Sequence, residues 1–217
     1  MPLIKLNTQS ATSLDATKLT GNLPAISGAS LTGISSEEIL VASGNVTSGS
    51  SSEIIVDNCF TSTYTSYRII FFDVMTNGGT NSTDTRFKVR TGGGSGTNYN
   101  SSQYFARCLR NYSGHSNYET DNVSGVDHFK LAYSAIQYGS SDSNNAMAFE
   151  MRIFNTNGFQ AKVLWNLSAQ HSGSNDNMIW SNGGGGITDA LTITGFNLYN
   201  TDSRNFTNYK YRVLGLA

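Results

Sequence analysis

From about residue 66 to the end of the chain, apolar residues recur at every second position, the period of a strand whose successive side chains point to opposite faces. Hardly any stretch holds the period of a helix. In Thr85-Arg86-Phe87-Lys88-Val89-Arg90, Phe87 and Val89 share one face, while Arg86, Lys88 and Arg90 share a wet one. Tyr67-Arg68-Ile69-Ile70-Phe71-Phe72-Asp73-Val74-Met75 is apolar on both faces, which predicts a strand central to a sheet or covered on its outer side. Met147, Phe149, Met151 and Ile153 alternate with polar or small residues, as do Val163, Trp165 and Leu167. Asn155-Thr156-Asn157-Gly158 between these runs tolerates positive φ, so the two are predicted to form an antiparallel hairpin with a short loop. In Leu191 to Leu198 the apolar phase slips at Gly195, the mark of a bulge, and Tyr209, Tyr211 and Val213 share one face of a closing strand. With Glu38 to Val46 and Ile54 to Val56 added, about eight to ten strands separated by polar turns predict an all-β chain, an antiparallel jelly-roll-like β-sandwich. Lack of crossover helices excludes a parallel α/β fold. Gly92-Gly93-Gly94-Ser95-Gly96, Tyr112 to Ser124 and Gly183-Gly184-Gly185-Gly186 are expected to be surface loops rather than phosphate cradles, since no helix follows either glycine run.

Composition narrows the partners. Charged residues are 13% of the 217, against roughly a quarter in an average soluble domain, so Gly, Ser, Thr and Asn carry most of the surface. Aromatic residues at 11% argue against disorder of so polar a chain. A formal net charge of -1 offers no overall basic footprint, so neither nucleic acid nor insertion into a membrane is expected. Met1 to Leu6 lacks the apolar stretch of a secretion signal, and a soluble protein is expected. Cys59 and Cys108 form no Cys-x-x-Cys and are expected to be buried thiols rather than a bridge.

The amino-terminal residues 1–36 have neither period. Leu14, Leu19, Leu23, Ile26, Leu31 and Ile34 are irregularly spaced, and what recurs is an aliphatic, a hydroxyl and a glycine residue: Leu19-Thr20-Gly21, Ile26-Ser27-Gly28 and Leu31-Thr32-Gly33. Burying a few aliphatic side chains returns less than ordering such a stretch of backbone costs, so the segment is expected to need the domain or sister chains to order it. Two parts are therefore expected, an attachment and oligomerisation segment over 1–36 and a sandwich head over 37–217.

The stretch from Lys18 through Ile34, with Leu19, Leu23, Pro24, Ile26, Leu31 and Ile34, resembles the stem or attachment segment of tail-fibre proteins of tailed bacteriophages, of the cyanophage and marine-phage type. Tyr67 to Phe72, Arg86 to Thr91 with the Gly/Ser loop after it, and the closing Tyr211-Arg212-Val213-Leu214-Gly215-Leu216 are similar to their head domains, although a long shaft and a His-x-His tip are missing. The resemblance implies a short tail fibre, a homotrimer, attached to other virion proteins and contacting the host surface, assembled in the host cytoplasm. A capsid-decorating head fibre or spike and a free lectin-like domain are the alternatives.

The candidate chemistry points to binding rather than catalysis. His115, His128 and His171 are scattered and expected to be solvated or at the rim, with no metal and no cofactor. No Gly-x-Ser-x-Gly elbow is present, and Glu119, Asp121 and Asp127, weighed as a general acid and base, are expected to be exposed loop acids. No enzyme is expected. Glycan sites combine an aromatic platform with amide and hydroxyl groups, which makes Trp180 with Asn182 the foremost ligand-binding candidates, followed by Tyr99, Tyr112 and Tyr118. Trp165, in phase with Val163 and Leu167, belongs to the core.

Overall fold

A computed structural model describes residues 37–77, 83–112, 119–136, 146–170, 178–201 and 204–216. Residues 1–36, with every attachment position named above, lie outside the described residues, as do Tyr118, His115 and His171. Thirteen strands form among the described residues: β1 (Glu38–Val46), β2 (Glu53–Val56), β3 (Ser66–Thr76), β4 (Thr83–Thr91), β5 (Thr97–Asn98), β6 (Tyr104–Tyr112), β7 (Glu119–Val126), β8 (Phe129–Ile136), β9 (Met147–Phe154), β10 (Asn157–Gln170), β11 (Met178–Thr192), β12 (Gly195–Asn200) and β13 (Phe206–Leu216). All pairings between them are antiparallel. The large sheet has eight strands in the order β1-β13-β3-β9-β10-β11-β6-β7. In the small sheet the order is β2-β12-β4, and beyond β4 the short β5 and β8 pair with its two halves. The chain is thus an all-β sandwich.

Alternation decides which side chains meet between the sheets. Tyr67, Ile69, Phe71, Met147, Phe149, Met151, Ile153, Val163, Trp165 and Leu167 face inward from the large sheet, and Ile54, Phe87, Val89, Phe129, Leu131, Phe196 and Leu198 from the small one. Phe71 stacks on Phe149 at 4.6 Å, Phe87 stacks on Phe196 at 5.3 Å, and Phe71 meets Phe196 edge-on at 6.0 Å, which ties the two sheets. Tyr104 of β6 is buried in the same layer; its hydroxyl accepts from Val89 N–H and donates to the carbonyl of Tyr99. Cys59 and Cys108 are both buried thiols.

Several expectations are corrected. Gly183–Gly186 is no loop: it lies in the middle of β11, paired with β10 on one side and β6 on the other. Packing explains it, because a Cβ at Gly183 would lie 2.0 Å from the Trp165 indole, which covers β11 from inside. A Cβ at Gly185 would meet the Phe105 carbonyl at 2.1 Å. The phase slip at Gly195 is no bulge either. Here the chain leaves β11 of the large sheet and enters β12 of the small one, with Gly195 against the Val56 carbonyl. Residues from Glu119, expected in a loop, form the polar edge strand β7, held by backbone pairing with β6. The β9–β10 hairpin forms as predicted, with Asn155 and Gly158 at positive φ, yet its loop is longer, since pairing resumes only between Phe154 and Lys162.

Candidate functional site

The side chains that point away from the core on the large sheet make a broad exterior, and the registers give its layout row by row. One row places Arg152 of β9, Leu164 of β10, Gly184 of β11 and Arg107 of β6 side by side. On one side of it lie Glu150, Asn166, Asn182 and Leu109, and on the other Phe154, Lys162, Gly186 and Phe105. Gly184 and Gly186 bring no side chain to this face. The result is a furrow along β11, its floor the strand's own backbone and its banks the side chains of β10 and β6. At the usual rise and spacing of strands, it runs ~13 Å from Asn182 to Gly186 and ~10 Å between its banks.

Two depressions lie on this exterior, the smaller within the furrow and the larger over β10 toward β9. One, of about 470 Å³, is bordered by Glu150, Arg152, Leu164, Asn166 and Asn182; the other, of about 200 Å³, by Phe105, Lys162, Gly186 and Thr188. Leu164, 55% exposed, separates them, with its tip leaning over Gly184. The Asn182 side-chain oxygen is buried without a hydrogen-bond partner. Trp180, half-buried, stands on the same face one row beyond Asn182, opposite Ser168 and Asn111. The furrow therefore offers apolar contact from Leu164, Phe105 and Trp180, beside amides and charges.

Charge is unevenly spent on this exterior. Arg68 bridges Glu38 at 3.1 Å and Glu150 at 2.8 Å, and Arg152 reaches Glu150 at 3.3 Å. The hydrogen bond from Arg68 holds the Glu150 carboxyl below the ordinary glutamate range. Arg107, Lys162 and Arg212 have no acidic partner among the described residues. Lys210 is paired with Asp73 at 2.8 Å. Locally the face is basic, although the whole chain has a net charge of -1.

The exterior of the small sheet differs. Arg90, expected on a wet face, is buried, with Asp57 at 2.7 Å, Asn98 at 2.9 Å and the Gly96 carbonyl around its guanidinium. Lys88 donates to Asp127 at 2.6 Å and Asn100 at 2.7 Å and lies over the Tyr199 ring. His128 is buried rather than at the rim, its Nδ1 2.7 Å from Asp127. Burial alone would raise the Asp127 carboxyl, but hydrogen bonds from His128 and Lys88 outweigh it and hold it down to about 2. Burial in turn pushes His128 below its ordinary value. Asp127 is thus committed to the Lys88 ammonium and the His128 ring, and Glu119 and Asp121 lie in β7.

Of the predicted ligand residues, Trp180 and Asn182 share the furrow's face, and Tyr99 does not join them. Its hydroxyl donates to Asp189, which places it near the far end of β11, ~30 Å from Trp180 at the usual strand rise. Tyr112 closes β6, with its backbone paired to Ile179, and Tyr118 falls outside the described residues. Lys162, Leu164, Phe105, Arg107, Glu150 and Arg152 were not singled out from the sequence. Their outward phase is readable there; that β11 brings β10 and β6 to either side of one glycine run is not. Comparison with protein-family models, curated proteins and solved structures found no match.

Proposed function

We propose that this chain is a structural adhesion protein of a tailed-phage virion, a short tail fibre acting as an oligomer, with the exterior of the large sheet turned to the host and no catalytic role. The observation that carries the reading is the strand order. Taken without the added strands, β1-β13-β3-β9 faces β2-β12-β4-β8, the chain changing sheet from β1 to β2, to β3, to β4, and again from β8 to β9 and from β12 to β13. We infer from this a jelly roll of eight strands, an architecture used by viral capsid and lectin domains. The pairs β6-β7 and β10-β11 then extend one of its sheets into the broad exterior.

A fold of this kind serves more than one kind of protein. The stem-like Lys18 to Ile34 stretch adds the particle: residues 1–36, through Leu19, Leu23, Pro24, Ile26, Leu31 and Ile34, join sister chains in a homotrimer and attach it to other virion proteins. Ile39 and Leu40, exposed at the start of β1 directly after that segment, add apolar surface for such contacts.

The test is to express residues 37–217 beside the full chain and assay incorporation into particles lacking the protein, with gold labelling to locate it. The core residues among the described residues all belong to the head, so the truncated chain is expected to melt cooperatively and to be missing from particles. Label at the tail supports the fibre, and label on the capsid favours a decorating protein. A full chain that is monomeric and absent from every particle would overturn the reading in favour of a free lectin-like domain.

A further inference from the structure

We propose that the furrow along Gly183–Gly186 is a binding site for an extended acidic polysaccharide, one bearing carboxylate groups along its length. The proposal deepens the adhesion reading by naming a ligand class, but its evidence is the geometry of β10, β11 and β6.

Shape comes first. A furrow floored by the backbone of Gly184 and Gly186, with only the movable tip of Leu164 over the former, admits a chain lying along the strand, whereas a compact ligand would need a closed pocket. Leu164 and Phe105, exposed on its two banks, give apolar contact for the faces of sugar rings. Asn166 and Asn182, adjacent in register, present amides suited to hydroxyl groups.

Charge then selects the kind of chain. Glu150 is already held by Arg68 and Arg152, so it offers little to repel an anion. Arg107 and Lys162 flank Gly184 and Gly186 from opposite banks without acidic partners among the described residues. Two cations without acidic partners among the described residues favour an anionic chain over a neutral one across a furrow of this width, and the planar Arg fork pairs with carboxylates.

The experiment uses the full-length protein with polygalacturonate as probe, dextran as its neutral counterpart and duplex DNA as a polyanion that carries phosphates and no pyranose rings. Polygalacturonate is expected to bind in a salt-sensitive manner and dextran not to bind. Reversing both cations, Arg107→Glu with Lys162→Glu, changes only exposed side chains and is expected to weaken binding about tenfold or more. Gly184→Val, which fills the floor without altering charge, should also weaken it. Binding unchanged in the double variant would overturn the proposal, as would dextran bound as tightly as polygalacturonate. DNA bound as tightly, with the same response to Gly184→Val, would show a surface that reads charge alone and would also overturn it. Particle incorporation is scored separately, so a virion protein indifferent to polygalacturonate removes this inference and leaves the adhesion reading standing.

Discussion

The two outer faces of the sandwich are built from similar residues and reach opposite states. On the small sheet, Arg90 and Lys88 are enclosed by Asp57, Asp127 and Asn98 or Asn100, and little of their charge is left for solvent. On the large sheet, Arg107 and Lys162 stand open beside exposed Leu164 and Phe105, and Arg212 stands open three strands away on β13. Net charge and composition cannot distinguish such faces, because what differs is whether each cation has a carboxylate within reach. The closed face holds the structure together; the open one is available to a partner.

The contrast is sharpest between the two sides of β11. Gly183→Ala would drive a methyl group into the Trp165 ring, which is locked in the core, and is expected to destabilise the fold by ~3 kcal/mol in urea unfolding. Arg90→Met tests the closed face. It strips Asp57 of its partner and should cost ~2 kcal/mol, less than for a fully buried pair because Asp57 is 21% exposed.

The Lys88, Asp127 and His128 group predicts a pH dependence. Both Asp127 and His128 titrate lower when folded, so the unfolded chain takes up the extra protons and stability falls with pH. Stability tied to neutral His128 is complete above its ordinary 6.5 and declines as pH falls through its lowered value. That tied to Asp127 is complete above 3.8 and lost toward about 2. Because Asp127 is 44% exposed, its share should be ~1 kcal/mol or less. Thermal melts of Asp127→Asn over this range should lose the Asp127 share of the acid decline between 3.8 and about 2 and keep the share of Glu150.

Smallest of all should be changes on the open face. Gly184→Ala meets the movable tip of Leu164 and comes within 3.4 Å of the Val163 carbonyl, and Arg152→Ala loses one half-exposed ion pair, so each should shift stability by ~0.5 kcal/mol or less. A loss on this face equal to that at Gly183 or Arg90 would mean it is closed as well.

Much of the fold was legible because alternation encodes burial directly. Phe87 with Val89, Met147 through Ile153, and Val163 with Trp165 and Leu167 all face the core as their phase predicts. Gly183–Gly186 misled because glycine serves turns and close packing alike, and only the indole above Gly183 tells which. The strand β7, Glu-Thr-Asp-Asn-Val-Ser-Gly-Val, has almost no apolar phase to read and is held by its backbone. At the site, Trp180 and Asn182 were readable as residue types suited to a sugar. The furrow was not, since it depends on pairing β11 with β6, far apart in the chain.

The measurement that bears most directly on the open face is hydroxyl-radical footprinting of the full-length protein, read by mass spectrometry, with and without polygalacturonate. Leu164 and Phe105 are 55% and 40% exposed on the large sheet, and Ile55, 47% exposed on the exterior of the small sheet, is the internal control. The account predicts that polygalacturonate protects Leu164 and Phe105 from oxidation and leaves Ile55 unchanged. Protection of Ile55 with none at Leu164 and Phe105, or of none of the three, would contradict it.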